Sequence, residues 1–377
     1  MKININHFII IIILTIQILH AFENIPIIKA NSIHVDIKDG NKFKQKAWRI
    51  TPETNPDIYS TSSHKVTFYT DIDSISFEIR LEDKYDFIIL LNEKDSAITR
   101  IIYEPSKLEI LKDAEKYNFD DNRFIPEFEY QSKDDINLTR IREELRLDSI
   151  AGNGNELSQI FNLMHWIHNL INHDGSSINP TIKNAIDLIN VCSIKERGLN
   201  CRMLATILNE CYLSIGIKSR YVTCMPKESE FNDCHVINMV YSTNLKKWIW
   251  IDPSFESYVM DIKGNLLSIQ EVREKLIKGD TLILNADANL NREKLVSKEY
   301  YLEYYMAKNL YRLQTPLISE YNTETWEKSK KVSYVELLPL DGIEQTPQKV
   351  EFIDKITGVT FTYYKTNNPN LFWKSPE

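Results

Sequence analysis

Three side chains in one stretch of this chain have the types needed for nucleophilic catalysis. Between residues 198 and 254 stand Cys201, His235 and Asp252. A cysteine sulfur attacks as the thiolate, and a neighbouring imidazole can take the thiol proton. A carboxylate then fixes the imidazole tautomer and stabilises its charged form. Together the three would support acyl transfer at an amide carbonyl. Singly, each has a plainer reading. A lone helical cysteine is usually a small buried hydrophobe. A lone histidine at a strand start is usually structural, and Asp-Pro is common at strand ends. What sets these three apart is that each falls where an element begins or ends.

The elements follow from the spacing. Leu204, Ile207, Leu208, Cys211, Tyr212 and Ile215 recur with helical period over 201–215. Gly198 and Asn200 stand before this run and Gly216 closes it. Cys201 is therefore expected in the first turn. There the positive end of the helix dipole favours thiolate, and free backbone N–H groups could face an oxyanion. Residues 219–225 (SRYVTCM) predict a strand, 226–233 a polar loop, 235–241 (HVINMVY) a second strand. A turn at 242–246 leads to a third strand, 247–251, which ends at Asp252-Pro253. In such a meander the start of the second strand lies near the end of the third. His235 and Asp252 then meet, with the helix start packed over the sheet.

Four pieces in this order, GLNCRMLATIL, GIKSRYVTC, DCHVINMVY and WIWIDPSF, resemble the transglutaminase-like superfamily of papain-fold cysteine enzymes. The resemblance spans residues 156–258, about a quarter of the chain. It implies Cys201 as nucleophile, His235 as general base and Asp252 as its orienting partner. In crosslinking members a tryptophan at similar spacing lines the oxyanion region, which would place Trp166 there; a core tryptophan explains Trp166 equally well. The superfamily holds crosslinking enzymes, deamidases, peptidases and members without activity, so the resemblance speaks more to fold than to reaction.

The rest of the chain frames this core. Its 377 residues, 43% hydrophobic and 26% charged, are those of an ordinary globular protein of two or three domains. A net charge of −8 argues against nucleic acid or anionic membrane surfaces as partners. Residues 1–21 read as a secretory signal: Lys2, then the apolar run 8–19, then Leu19-His20-Ala21. The run is short for a membrane span, and no cysteine follows it to carry a lipid. Residues 22–105 predict a small β-rich, sandwich-like domain, with apolar positions alternating from Val66 onward. Residues 106–150 are charged and read as a partly helical linker.

Residues 156–172 predict a strong amphipathic helix carrying His165 and His168, with His173 just beyond. No carboxylate or cysteine is suitably spaced for a metal, and no metal or cofactor is expected. The five cysteines (192, 201, 211, 224 and 234) fit one free thiol plus pairs in an oxidising compartment. Cys224 and Cys234 flank the hairpin loop and are the candidate disulfide. Residues 287–291 look like a calcium loop, but Arg292 and Lys298 stand where Gly and Glu are needed. Residues 300–313 read as a tyrosine-rich helix whose rings either pack or line a groove.

The expectation is an α+β protein with four parts beyond residues 1–21. These are a β-rich domain at 22–105, a linker at 106–150, a transglutaminase-like core at 151–260 and a mixed extension at 261–377. The expected function is an exported, periplasmic or extracellular enzyme cleaving peptide, glutamine side-chain or cell-wall amides through a thioester, hydrolytic rather than crosslinking. The alternative is a non-catalytic scaffold of the same fold that binds a glycan or peptide.

Overall fold

The alternating apolar residues of the first hundred positions become eight strands in a computed structural model. It describes residues 25–376 except 54, 115 and 232. The expected signal at 1–21 lies outside the described residues. Among those described, no helix is long and apolar enough to cross a membrane.

The chain divides into two units after Ser106. In the first, β1 (Ile27–Ala30), β2 (His34–Asp39), β3 (Lys42–Arg49), β4 (Asp57–Thr61), β5 (Lys65–Tyr69), β6 (Ser74–Glu78), β7 (Lys84–Leu91) and β8 (Asp95–Tyr103) form two four-stranded sheets. Their orders are β1-β7-β8-β4 and β3-β2-β5-β6. Both sheets send their inward residues, including Ile37, Phe68, Phe87 and Ile101, into one core. This is the arrangement of a β-sandwich.

In the second unit, helices α1 (Glu156–Leu170), α2 (Ala185–Lys195) and α3 (Cys201–Ser214) precede strands β9 (Ser219–Met225), β10 (His235–Ser242) and β11 (Lys247–Ile251). Asn155, Asn184 and Asn200 cap the three helices, each accepting the N–H of the residue three positions on. The hairpin pairs Cys224 with His235 and Val222 with Ile237, and β11 joins so that Asn238 faces Ile251. The C-terminal residues extend the same sheet. Strands β12 (Arg312–Pro316), β13 (Lys331–Leu337), β14 (Lys349–Ile353) and β15 (Thr360–Thr366) give the order β11-β10-β9-β12-β13-β15-β14.

Every residue of β9 is buried, because apolar side chains cover both faces of the sheet. On one side Ile160, Ile167, Leu204 and Leu208 of the helices meet Val240, Ile249 and Ile251. On the other, Val222, Met239 and Trp250 meet Phe255, Tyr301 and Leu302. Helix α3 is sheathed on all sides: every residue from Met203 to Ser214 is buried. A helix so enclosed holds its first turn, and therefore Cys201, firmly in place.

Candidate active site

Cys201 opens α3, and Asn200 holds the turn by accepting Met203 N–H at 3.1 Å while donating to Asn179 Oδ1 at 2.6 Å. The cysteine packs against Ala205, Tyr221 and Val236, half-buried at the mouth of a pocket of about 230 Å³. His173, Arg202, Cys234 and Tyr305 also line it.

His235 and Asp252 are both fully buried, and His235 Nε2 lies 2.7 Å from Asp252 Oδ2. Asp252 ends its strand in a tight turn. Its other oxygen, Oδ1, accepts Ser254 N–H at 2.8 Å, and its backbone exchanges hydrogen bonds with Ser257. With Nε2 committed to the carboxylate, Nδ1 is the imidazole nitrogen left for the sulfur. His173 lines the same pocket as Cys201, and the imidazoles of His173 and His235 both bear on the Cys201 thiol.

Two tyrosines from the C-terminal third complete the setting. Residues Glu299–Met306 form a π-helix, a wider coil that often marks functional sites. Tyr301 donates its hydroxyl to Asp252 Oδ2 at 2.5 Å, and the Tyr305 hydroxyl lies 3.3 Å from His235 Nδ1. Phe255 and Tyr305 meet the His235 ring edge-on.

The charges favour an ion pair. Burial works against a Cys201 thiolate, yet the neighbouring imidazoles of His173 and His235 outweigh it and bring the thiol down to about 6. Burial likewise disfavours charged His235, but Asp252 and the Cys201 sulfur push its pKa up to about 10. Burial also opposes the Asp252 carboxylate. His235, the Tyr301 hydroxyl and Ser254 N–H nevertheless hold it below the ordinary range.

The other residues singled out in the sequence fall differently. Trp166 is not among the residues lining the Cys201 pocket; it packs against the helical core on α1. Cys224 and Cys234 are free thiols, not a disulfide. Cys224 stands opposite His235, so Cys234 is one residue out of register and pleating turns it to the other face. His165 and His168 hold the Asp252 turn. His165 bonds to Glu256, and His168 Nδ1 lies 3.0 Å from Pro253 O. No group of residues fit to hold a metal occurs among those described.

The sequence reading does not foresee His173 beside Cys201. The one signal is Gly198. A methyl group there would lie 2.6 Å from Asn172 O, so only glycine lets residues 172–174 run against the approach to α3.

Residues 144–253 match the family model of the transglutaminase-like superfamily, and this stretch forms a transglutaminase-like core within the α+β unit. Two solved structures are similar. One is described as a "Putative Cysteine Protease from Cytophaga hutchinsonii": 21% identity, 34% of this chain and 40% of that chain covered, TM-score 0.26. The other is red sea bream transglutaminase: 11% identity, 61% of this chain and 49% of that chain covered, TM-score 0.24. Each is thus matched over less than half of its own length. No curated protein matches the chain.

Proposed function

We propose that this protein is an exported cysteine enzyme that opens amide bonds through a thioester, with Cys201 as nucleophile, His235 as acid and base, and Asp252 as the group that orients His235. The observation that carries this reading is the buried His235–Asp252 bond at 2.7 Å, which leaves Nδ1 for a Cys201 thiol already brought down to about 6. A structural histidine gains little from a buried carboxylate aligned to leave its other nitrogen toward a cysteine at a helix start. A catalytic one requires that alignment.

The chemistry follows from the arrangement. Cys201 Sγ attacks the carbonyl carbon, and the C–S bond forms as the carbonyl pair moves to oxygen. The Cys201 backbone N–H at the start of α3 stabilises that oxyanion. His235 gives its Nδ1 proton to the leaving nitrogen as the C–N bond breaks, which leaves a thioester. Water, activated by the now neutral His235, releases the acid. The pocket of about 230 Å³ beside Cys201 has room for a water nucleophile, and hydrolysis is the reading preferred over transfer to a lysine. Peptide bonds, glutamine side chains and cell-wall amides are the substrate classes. Export rests on the signal-like residues 1–21.

The test is to incubate the protein with glutamine-containing peptides, a mixed protein digest and peptidoglycan fragments. Ammonia release, new amino termini and incorporation of a dansylated amine are scored side by side, with Cys201→Ala as control. Turnover lost in Cys201→Ala supports the enzyme, and amine incorporation outrunning hydrolysis would overturn the hydrolytic assignment. No turnover, with peptide or glycan binding unaffected by Cys201→Ala, would leave a binding scaffold of the same fold.

A further inference from the structure

We infer that His173 is a second imidazole of this site, which hydrogen-bonds to the Cys201 sulfur in the resting protein and donates to the oxyanion once the sulfur has attacked. This rests on the proposed role of Cys201 as nucleophile.

His173 follows α1 in an irregular segment where no side-chain periodicity would fix it. Instead, residues 172–174 run parallel to residues 198–200. Leu199 N–H donates to Asn172 O at 3.0 Å, and Asp174 N–H donates to Leu199 O at 2.7 Å, which makes an isolated bridge between His173 and Leu199. Cys201 lies two residues further on. A single parallel bridge thus ties His173 to the start of the nucleophile's helix.

A second device grips it from the other side. The segment that resembles a calcium loop is a short hairpin, Asn289–Leu290 against Lys294–Leu295. Its turn holds Asn291 and Arg292 in the left-handed region, at φ 57° and 63°. Two non-glycine residues there are costly and persist only where surrounding contacts enforce them. Here Asn291 Oδ1 accepts His173 N–H at 2.6 Å and Asn291 Nδ2 donates to His173 O at 3.0 Å. Arg292 bonds to Asn169 O and to Asn172 Oδ1. The hairpin therefore clamps the main chain of a residue that lines the same pocket as Cys201. The His173 ring carbon Cε1 lies near Gly175, and both residues line the pocket beside Cys201.

The reacting atoms balance without an added reagent. As the S–C bond forms, the carbonyl pair becomes the oxyanion. His173 donates an N–H hydrogen bond to it and keeps its proton. When the pair returns and the C–N bond breaks, the proton on the leaving nitrogen comes from His235. The charged and titratable groups facing Cys201 besides the two imidazoles are Cys224, Cys234, Tyr305 and, from its own helix, Arg202 paired with Glu324. Asp233 at the pocket is paired with Lys308.

The experiment records iodoacetamide alkylation of Cys201 against pH, with the site located by peptide mass spectrometry. It compares the full chain with His173→Ala, His173→Gln, Asn291→Ala, His235→Ala and the double His173→Ala/His235→Ala. The acylation burst from p-nitrophenyl acetate is followed in the same proteins. His173→Ala should move the alkylation midpoint up by about one unit, a roughly fivefold loss of labelling at pH 6. It should also slow acylation by on the order of a hundredfold. His173→Gln keeps a donor but does not titrate, so it should recover most of the acylation. His235→Ala should keep a midpoint below that of a free thiol, which the double variant loses. Should His173→Ala fail to fold by circular dichroism, His173→Gln and Asn291→Ala carry the test, the latter with an intermediate shift. A wild-type midpoint near 6 left unchanged by His173→Ala and Asn291→Ala overturns this inference alone. A wild-type thiol that alkylates like a free cysteine overturns the proposed function as well.

Discussion

Tyr301 gives its hydroxyl proton to the same Asp252 oxygen that holds His235, at 2.5 Å, within a fully buried group. The carboxylate is thus shared between the imidazole and a residue nearly fifty positions later in the chain. Trp250 Nε1 in turn donates to the Tyr301 oxygen at 3.3 Å. Tyr301→Phe removes a charge-assisted bond and leaves the Trp250 N–H without that acceptor. It should cost about 2 kcal/mol of unfolding free energy, read from urea titration. It should also lower kcat/KM about tenfold while Cys201 still labels below the free-thiol range.

The directions of the two central shifts fix the pH dependence. The Cys201 thiol is pulled down to about 6 and His235 is pushed up to about 10. Below pH 6 the sulfur is protonated and cannot attack. Above pH 10 the imidazole has lost the proton it must give to the leaving nitrogen. We expect kcat/KM to be bell-shaped, rising through about 6 and falling through about 10. A profile with its acid limb near 8 would contradict the ion pair.

Asp252→Asn keeps the shape of the turn but removes the charge that holds His235 protonated. It also offers an amide that can present a donor to Nε2. The wrong tautomer then faces Cys201. Activity should fall by on the order of 10³–10⁴-fold, with Cys201 alkylation at pH 6 falling in parallel. Unchanged alkylation would mean that Asp252 does not act through His235.

Gly198→Ala tests how residues 172–174 are placed. The added methyl would lie 2.6 Å from Asn172 O and 2.9 Å from Asp174 Cβ. Both are too close, and the first is backbone, so the segment must move. A stability loss of about 1–3 kcal/mol is expected in thermal or urea unfolding. Alkylation of Cys201 should fall as it does in His173→Ala. Loss of stability with wild-type alkylation would show that the segment carries no chemistry.

Much of this site is legible in the sequence, for local reasons. Cys201 follows Asn200, a good helix cap, and leads an apolar face of period 3.6, so its place in the first turn is decided within a dozen residues. His235 and Asp252 mark strand limits set by a polar loop and by Pro253. The sheet order that brings them together follows from short turns. The less legible parts depend on long-range contacts. His173 has no periodic pattern around it and is placed by a bridge to Leu199 and a clamp from Asn291. Tyr301 and Tyr305 lie four residues apart in an aromatic run, so their common face is visible but not what it covers. Trp166 belongs to a helix whose apolar face has two candidate neighbours, and packing chooses the core. Cys224 and Cys234 flank the right loop, but a register offset of one residue separates their faces.

The seven-stranded sheet has a consequence for the order in which the protein is made. Cys201, His235 and Asp252 all lie within residues 144–253, the part that matches a family model. Their partners Asn291, Tyr301 and Tyr305, and strands β12 to β15, come later in the chain. A ribosome that has just released Asp252 has made a cysteine, a histidine and an aspartate, but neither the hydroxyl that shares the carboxylate nor the turn that grips His173. Pairings so distant in sequence form late. The proposed nucleophile therefore gains the contacts that hold His173, His235 and Asp252 only after residues 291–305 have been made, well after residues 201–252.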